Sequence, residues 1–198
     1  MSTKPSVHLQ AGDALIAVDV QNDFLPGGSL AVPAGDAVVP ALNRYLAAFD
    51  ARALPVFATR DWHPANHCSF KAQGGTWPPH CVAGTPGAGF AGGLALPAAA
   101  AIVSKAQTPE ADSYSGFGGT DLRARLRAAG VARLFIGGLA TDYCVLNTVK
   151  DALAAGFAVL LLVDAVRAVE LTRGDGARAL AEMEGLGARP IRFEEIVT

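Results

Sequence analysis

The chain has 198 residues, 51% hydrophobic and 17% charged, with 16 Lys and Arg against 18 Asp and Glu. That length suits one domain, of the usual span of about 100–200 residues, burying about 70% of its unfolded surface. The apolar content excludes a disordered chain, and a net charge of −2 without a basic run argues against a nucleic-acid partner.

Met1–Gln10 lacks an apolar signal segment and is expected to be flexible, His8 included. Ala14–Val20 is a short apolar run, as in a strand covered on both faces. From Ala34 to Phe49, the residues Val38, Leu42, Tyr45, Leu46 and Phe49 recur at helical spacing. Pro55–Thr59 reads as a second strand. Asp61–Ala100 follows without a clear period, rich in Gly, Pro, His and Trp, and a segment of that length points to function. It lacks charge between His80 and Lys105, but seven Gly and Pro from Gly84 to Pro97 make it a neutral loop rather than a membrane span. Ala101–Lys105 is a third strand, and Thr120 opens a helix that Gly130 ends. Arg133–Leu139 is a fourth strand, followed by a helix capped by Thr141 or Asp142. Ala158–Asp164 is a fifth strand, Thr172–Gly187 the last helix and Arg189–Phe193 a short sixth strand. Alternating strands and helices predict α/β architecture in a single domain over residues 1–198.

The chemistry gathers where ligands bind such a sheet, at the carboxyl ends of its strands. Asp19 ends the first, Asp61 and His63 follow the second, Lys105 ends the third and Cys144 follows the fourth. Cys144 is the candidate nucleophile, because a helix N-terminus and a nearby Lys favour thiolate over thiol. The backbone N–H groups of that helix start can also hold an oxyanion. Asp19, at the end of an apolar strand, is expected to have a raised pKa suited to taking the thiol proton. Lys105 can pair with it. Asp61 and His63 share a side of an extended segment, and with His80 they make a ligand set for a borderline divalent metal. His67 is open between a fourth ligand and a hydrogen bond that closes the loop, the second being favoured. Cys68 and Cys81 fit neutral loop packing. Three scattered Cys without C-x-x-C indicate a reducing, cytoplasmic setting. Gly87–Gly92 fits G-x-G-x-x-G but neither follows a strand nor opens a helix, so a dinucleotide site is not expected.

Several blocks in order resemble the nicotinamidase/pyrazinamidase branch of the isochorismatase-like cysteine hydrolases. They are Val18–Phe24, Thr59–His67, Thr76–Gly87, Lys105 with Asp112–Phe117, and Gly138–Cys144. The resemblance implies a three-layer α/β/α fold with a doubly wound, six-stranded parallel sheet in the order 3-2-1-4-5-6. It also implies a nonproline cis peptide near Leu139-Ala140. The implied activity is hydrolysis of nicotinamide, and of pyrazinamide, through a Cys thioester. Asp19, Lys105 and Cys144 would be catalytic, with the N–H groups of Ala140 and Cys144 as the oxyanion hole. Asp61, His63 and His80 would hold one divalent metal per chain, with Zn favoured and Fe or Mn also suited. The metal would take the pyridine nitrogen, with Phe24, Trp77 and Tyr114 around the ring. The expected partner is a small-molecule substrate, with no nucleic acid or membrane, and a homo-oligomer is a family expectation. Two alternatives remain at this point: a metal-free amidohydrolase of the same fold, and a catalytically silent member that acts by binding.

Overall fold

The structure is a computed structural model that describes residues 6–197. A six-stranded parallel sheet forms its centre, built from β2 (Asp13–Val18), β3 (Val56–Asp61), β4 (Ala101–Lys105), β5 (Arg133–Leu139), β6 (Ala158–Arg167) and β7 (Arg189–Ile191). Its order is β4-β3-β2-β5-β6-β7, which is the expected 3-2-1-4-5-6 when only these six strands are counted. β2 and β5 are neighbours, and the chain winds outward from them in both directions.

The apolar run of β2 explains its central place. Leu15 and Ala17 face one layer of the core, while Ala14, Ile16 and Val18 face the other, and all are buried. α1 (Val38–Asp50) covers the first face with the predicted stripe of Val38, Leu42, Tyr45, Leu46 and Phe49. α2 (Leu122–Ala128), α3 (Leu146–Ala154) and α4 (Asp175–Gly185) cover the second, through Leu122, Leu126, Val149 and Met183. No α-helix bridges β3 and β4. The long segment crosses the α1 face instead, burying Cys81, Ala88 and Ala91. Its glycine-rich part is loop and 3₁₀ turn, so Gly87–Gly92 opens no phosphate-binding helix. No helix among the described residues is long and apolar enough to cross a membrane.

Several boundaries differ from the sequence expectation. Residues 1–5 of the supposedly flexible terminus lie outside the described residues, but Val7–His8 is a strand, β1, pairing in parallel with β8 (Ile196–Val197). Val7 and Leu9 are buried, and Arg133 donates to the His8 carbonyl at 2.8 Å, so this stretch is fixed by apolar and polar contacts together. α2 starts at Leu122 rather than Thr120, although the Thr120 hydroxyl accepts the Leu122 N–H at 3.2 Å. The helix after β5 opens with a π turn, Thr141–Val145, before α3 begins.

β2 and β5 approach closely at their carboxyl ends. A Cβ at Gly138, whose φ is +129°, would lie 2.1 Å from the Val18 carbonyl oxygen, so only glycine fits there. One residue farther on, the Leu139-Ala140 peptide is cis, as expected. This close approach sets the turn holding Cys144 beside the residue that follows β2, Asp19.

Candidate active site

Asp19, Lys105 and Cys144 meet in the interior. The Lys105 ammonium lies 3.1 Å from Asp19 Oδ2 and 3.6 Å from Cys144 Sγ, and it also contacts the Asp61 carboxylate. It donates to the Ser113 carbonyl at 3.0 Å. Thr59, inside β3, donates its hydroxyl to Asp19 Oδ1 at 2.6 Å. Asp19 Oδ2 has the ion contact to Lys105 without hydrogen-bond geometry, leaving that oxygen free to receive a proton.

The charges follow from burial. Burial pushes the Asp19 carboxyl above its usual range against the opposing charge of Lys105, as the sequence predicts. Asp61 is pushed up by burial as well, but Lys105 and His63 outweigh this and hold it well below the carboxylate range. Lys105 stays charged, because the two carboxylates outweigh its own desolvation. At Cys144 the helix start and Lys105 favour the thiolate, but burial works against it. Burial raises its pKa well above the usual thiol value, and the carboxylates of Asp19 and Asp61 oppose the help Lys105 gives. The resting group is therefore a thiol, and a base is needed to make it a nucleophile.

Asp61 at the end of β3, His63 just after it and His80 from the long segment converge beside this cluster, one donor atom from each lying within 4.8 Å of the others. His63 directs Nδ1 at the Ala106 carbonyl (3.1 Å), and His80 directs Nδ1 at the Pro78 carbonyl (2.8 Å). Each imidazole thereby keeps its Nε2 lone pair for the centre, the usual arrangement behind a metal-binding His. His63 Nε2 is buried with no hydrogen-bond partner among the described residues, 3.7 Å from Asp61 Oδ2. Burial lowers the His80 pKa, which favours the neutral form a ligand needs. These three residues fit a divalent cation. A second group of donors, Asp19, Asp61 and Cys144, is also close together, but the Lys105 ammonium already supplies its positive charge.

His67 takes the loop-closing role. Its Nδ1 accepts from the Ser69 hydroxyl at 2.7 Å, and its Nε2 faces the Ala111 carbonyl at 3.2 Å, so both nitrogens are engaged while the ring stacks on His63. Cys81 is a buried neutral thiol whose N–H donates to Asp23 at 2.7 Å.

A pocket opens onto Cys144, Asp61 and His80. The expected ring residues Phe24, Trp77 and Tyr114 line it, as does Ala140. Trp77 donates its indole N–H to the Tyr114 hydroxyl at 3.0 Å, which fixes both rings. Tyr143, Val169 and Leu30 also line the pocket and were not foreseen. Tyr143 could have been found as the neighbour of Cys144, in edge contact with Trp77. Val169 carries no local signal. It is placed by Asp142, whose carboxylate accepts the N–H groups of Val169 (2.9 Å) and Glu170 (3.0 Å).

The Isochorismatase domain family matches residues 13–195. The chain belongs to that family. It is 41% identical over 196 residues to a nicotinamidase of Escherichia coli, spanning 88% of this chain and 92% of the relative. Among solved structures it is similar to a pyrazinamidase of Pyrococcus horikoshii in complex with zinc. The TM-score is 0.89 with 50% identity, covering 92% of this chain and 99% of the other. A third similarity is to PnC1 from L. infantum in complex with nicotinate, at a TM-score of 0.89 and 38% identity, covering 97% and 98%. The fold and the family assignment agree.

Proposed function

We propose that this amide hydrolase converts nicotinamide to nicotinate and ammonia, and accepts pyrazinamide, with Cys144 as nucleophile. The observation that carries this reading is the meeting of a buried Asp-Lys-Cys cluster and an Asp-His-His donor set in one aromatic-lined pocket. Relatives named nicotinamidase and pyrazinamidase, and a neighbour holding nicotinate, support the substrate class.

In this mechanism Asp19 Oδ2 takes the Cys144 proton. The thiolate attacks the carboxamide carbon, and the backbone N–H groups of Ala140 and Cys144 receive the oxyanion. Lys105 keeps its charge throughout and holds Asp19 and Asp61 apart. Asp19 returns the proton to the departing amine, so ammonia leaves and a thioester remains on Cys144. Asp19 then takes a proton from water, whose oxygen attacks the thioester carbon. Nicotinic acid separates as the Cys144 thiol is restored, and ionises to nicotinate. Phe24, Trp77 and Tyr114 hold the ring and exclude water. Asp61, His63 and His80 would hold one divalent cation, with zinc the favoured ion because their donor set is borderline and a similar protein binds it. When bound, that cation supplies a Lewis acid for the ring nitrogen lone pair.

The deciding experiment is ammonia release from nicotinamide before and after chelation, with metal analysis of the same sample. Turnover with about one metal per chain, lost on stripping, is expected. Turnover that survives full removal of metal would leave the hydrolase but withdraw the metal. His80→Ala should lower zinc affinity by on the order of 10²-fold or more and raise KM for nicotinamide. Unchanged zinc content and KM would remove His80 from the ligand set.

The pH dependence carries a separate sign. Asp19 must be ionised to accept the thiol proton, and burial raises its pKa above the ordinary value of 3.8. The acid limb of kcat/KM is therefore expected above that value, with activity lost as pH falls through it. A limb centred at or below 3.8 would remove Asp19 as the base.

A further inference from the structure

We propose that Gln21 is a positioning residue, whose side-chain amide fixes the main chain of Asp61 and so aims the Asp61 carboxylate at the metal and at Lys105. The inference rests on the metal reading above for one of its two targets.

Gln21 is fully buried, an uncommon place for this residue type, and its amide is fully used. Its Nε2 donates to the Asp61 carbonyl at 2.8 Å and to the Ala88 carbonyl at 2.9 Å. Its Oε1 accepts the Asp61 N–H at 2.8 Å. The amide thus makes the paired contacts that a strand neighbour would make. The need arises from the topology. β2 and β3 pair in register as far as Ala17 and Ala58, and the chain then leaves the sheet through Asp19, whose φ is +48°. On its other side Asp61 is still paired with Lys105 of β4. Without Gln21, Asp61 would be held from one side only, at the point where its carboxylate must serve two partners.

Gln21 lies two residues after Asp19, and its own N–H donates to the Asp19 carbonyl at 2.9 Å. The same short turn therefore presents the base and locks the carboxylate of the donor set, fixing their separation. Asn22 provides a comparison. It anchors the same loop through Pro86 (2.8 Å) and Gly89 (2.9 Å) but does not touch Asp61.

The test measures zinc affinity by competition with a chromogenic chelator, on the full chain, for Gln21→Met, Gln21→Glu and Asn22→Ala. Gln21→Met keeps the length and removes all three hydrogen bonds, and the zinc dissociation constant should rise about 10–100-fold. Gln21→Glu sets a carboxylate against the carbonyls of Asp61 and Ala88 and should also weaken zinc. Simple charge attraction would tighten it, so the sign separates positioning from electrostatics. Asn22→Ala should leave zinc affinity within about twofold of wild type, even where it lowers the melting temperature. Wild-type affinity in either Gln21 variant, or an equal loss in Asn22→Ala, would overturn the inference. If Gln21→Met does not fold, Gln21→Glu decides. If the wild-type chain binds no zinc that Asp61→Ala abolishes, the metal reading fails on its own. The remaining target, Lys105, is then read from kcat, which an unchanged value in both Gln21 variants would exclude.

Discussion

Cys144→Ala should give a folded protein that releases no ammonia from nicotinamide, with kcat reduced on the order of 10⁴-fold or more. The thiol is the group in the pocket that can form the thioester, and no other cysteine substitutes for it. Cys81 faces the packing of the long segment, and Cys68 lies beside His67. The substitution removes one sulfur from a buried site in the apolar cluster that includes Val18 and Val145, so its effect on stability is on the order of 1 kcal/mol. Zinc content and nicotinamide affinity should stay near wild type, because Asp61, His63, His80 and the ring residues are untouched. Ammonia release in a single-turnover assay, with a thermal melt of the same preparation, checks both halves. Activity within tenfold of wild type would mean that water, rather than Cys144, attacks the amide. The resting charge state adds a corollary. A buried thiol held protonated should react slowly with a general alkylating reagent, and half-buried Cys68 should be labelled first. Rapid labelling therefore does not separate an enzyme from a binding module here, whereas loss of turnover in Cys144→Ala does.

What was legible in the sequence follows the length scale of each feature. The stripe of α1 and the apolar run of β2 depend on contacts repeated along a few turns, so periodicity shows them. The strand ends bearing Asp19, Asp61, Lys105 and Cys144 could be placed because an α/β sheet gathers its strand ends on one side. The amide of Gln21 on Asp61, 40 residues away, has no local signature, and neither does Asp142 on Val169. β1 is two residues long and pairs with the far end of the chain, which leaves no period to read. The last helix starts at Asp175 rather than Thr172, because Gly174 turns into the left-handed region and Glu170 caps the N–H groups of Gly174 and Gly176. The balance of effects on the Cys144 thiol is hidden for a related reason. A helix start and a Lys are visible in sequence, but the degree of burial and the second carboxylate, Asp61, are known only once the chain is folded.

Lys105→Met should be among the most damaging single changes for stability, and its cost should depend on pH with a definite sign. The ammonium is fully buried between two carboxylates, and removing one partner of a buried pair costs about 3–5 kcal/mol. Methionine has a similar length and fills the space, so the loss is electrostatic rather than a cavity. In the wild type, Lys105 holds Asp61 well below 3.8, its unfolded value, and that contribution is present above 3.8 and lost as pH falls through the folded pKa. Without Lys105, burial and mutual repulsion push both carboxyls above 3.8 in the folded state. The variant then folds best with them protonated and loses stability as pH rises through their raised values. The gap between the two proteins should be widest near neutral pH and should narrow as pH falls toward 3.8. Chemical denaturation with chelator present, at several pH values, measures this gap. A constant gap, or one that widens in acid, would mean that the ammonium contributes packing rather than charge. Turnover should fall in the same variant, because an Asp19 protonated at working pH cannot take the proton from Cys144.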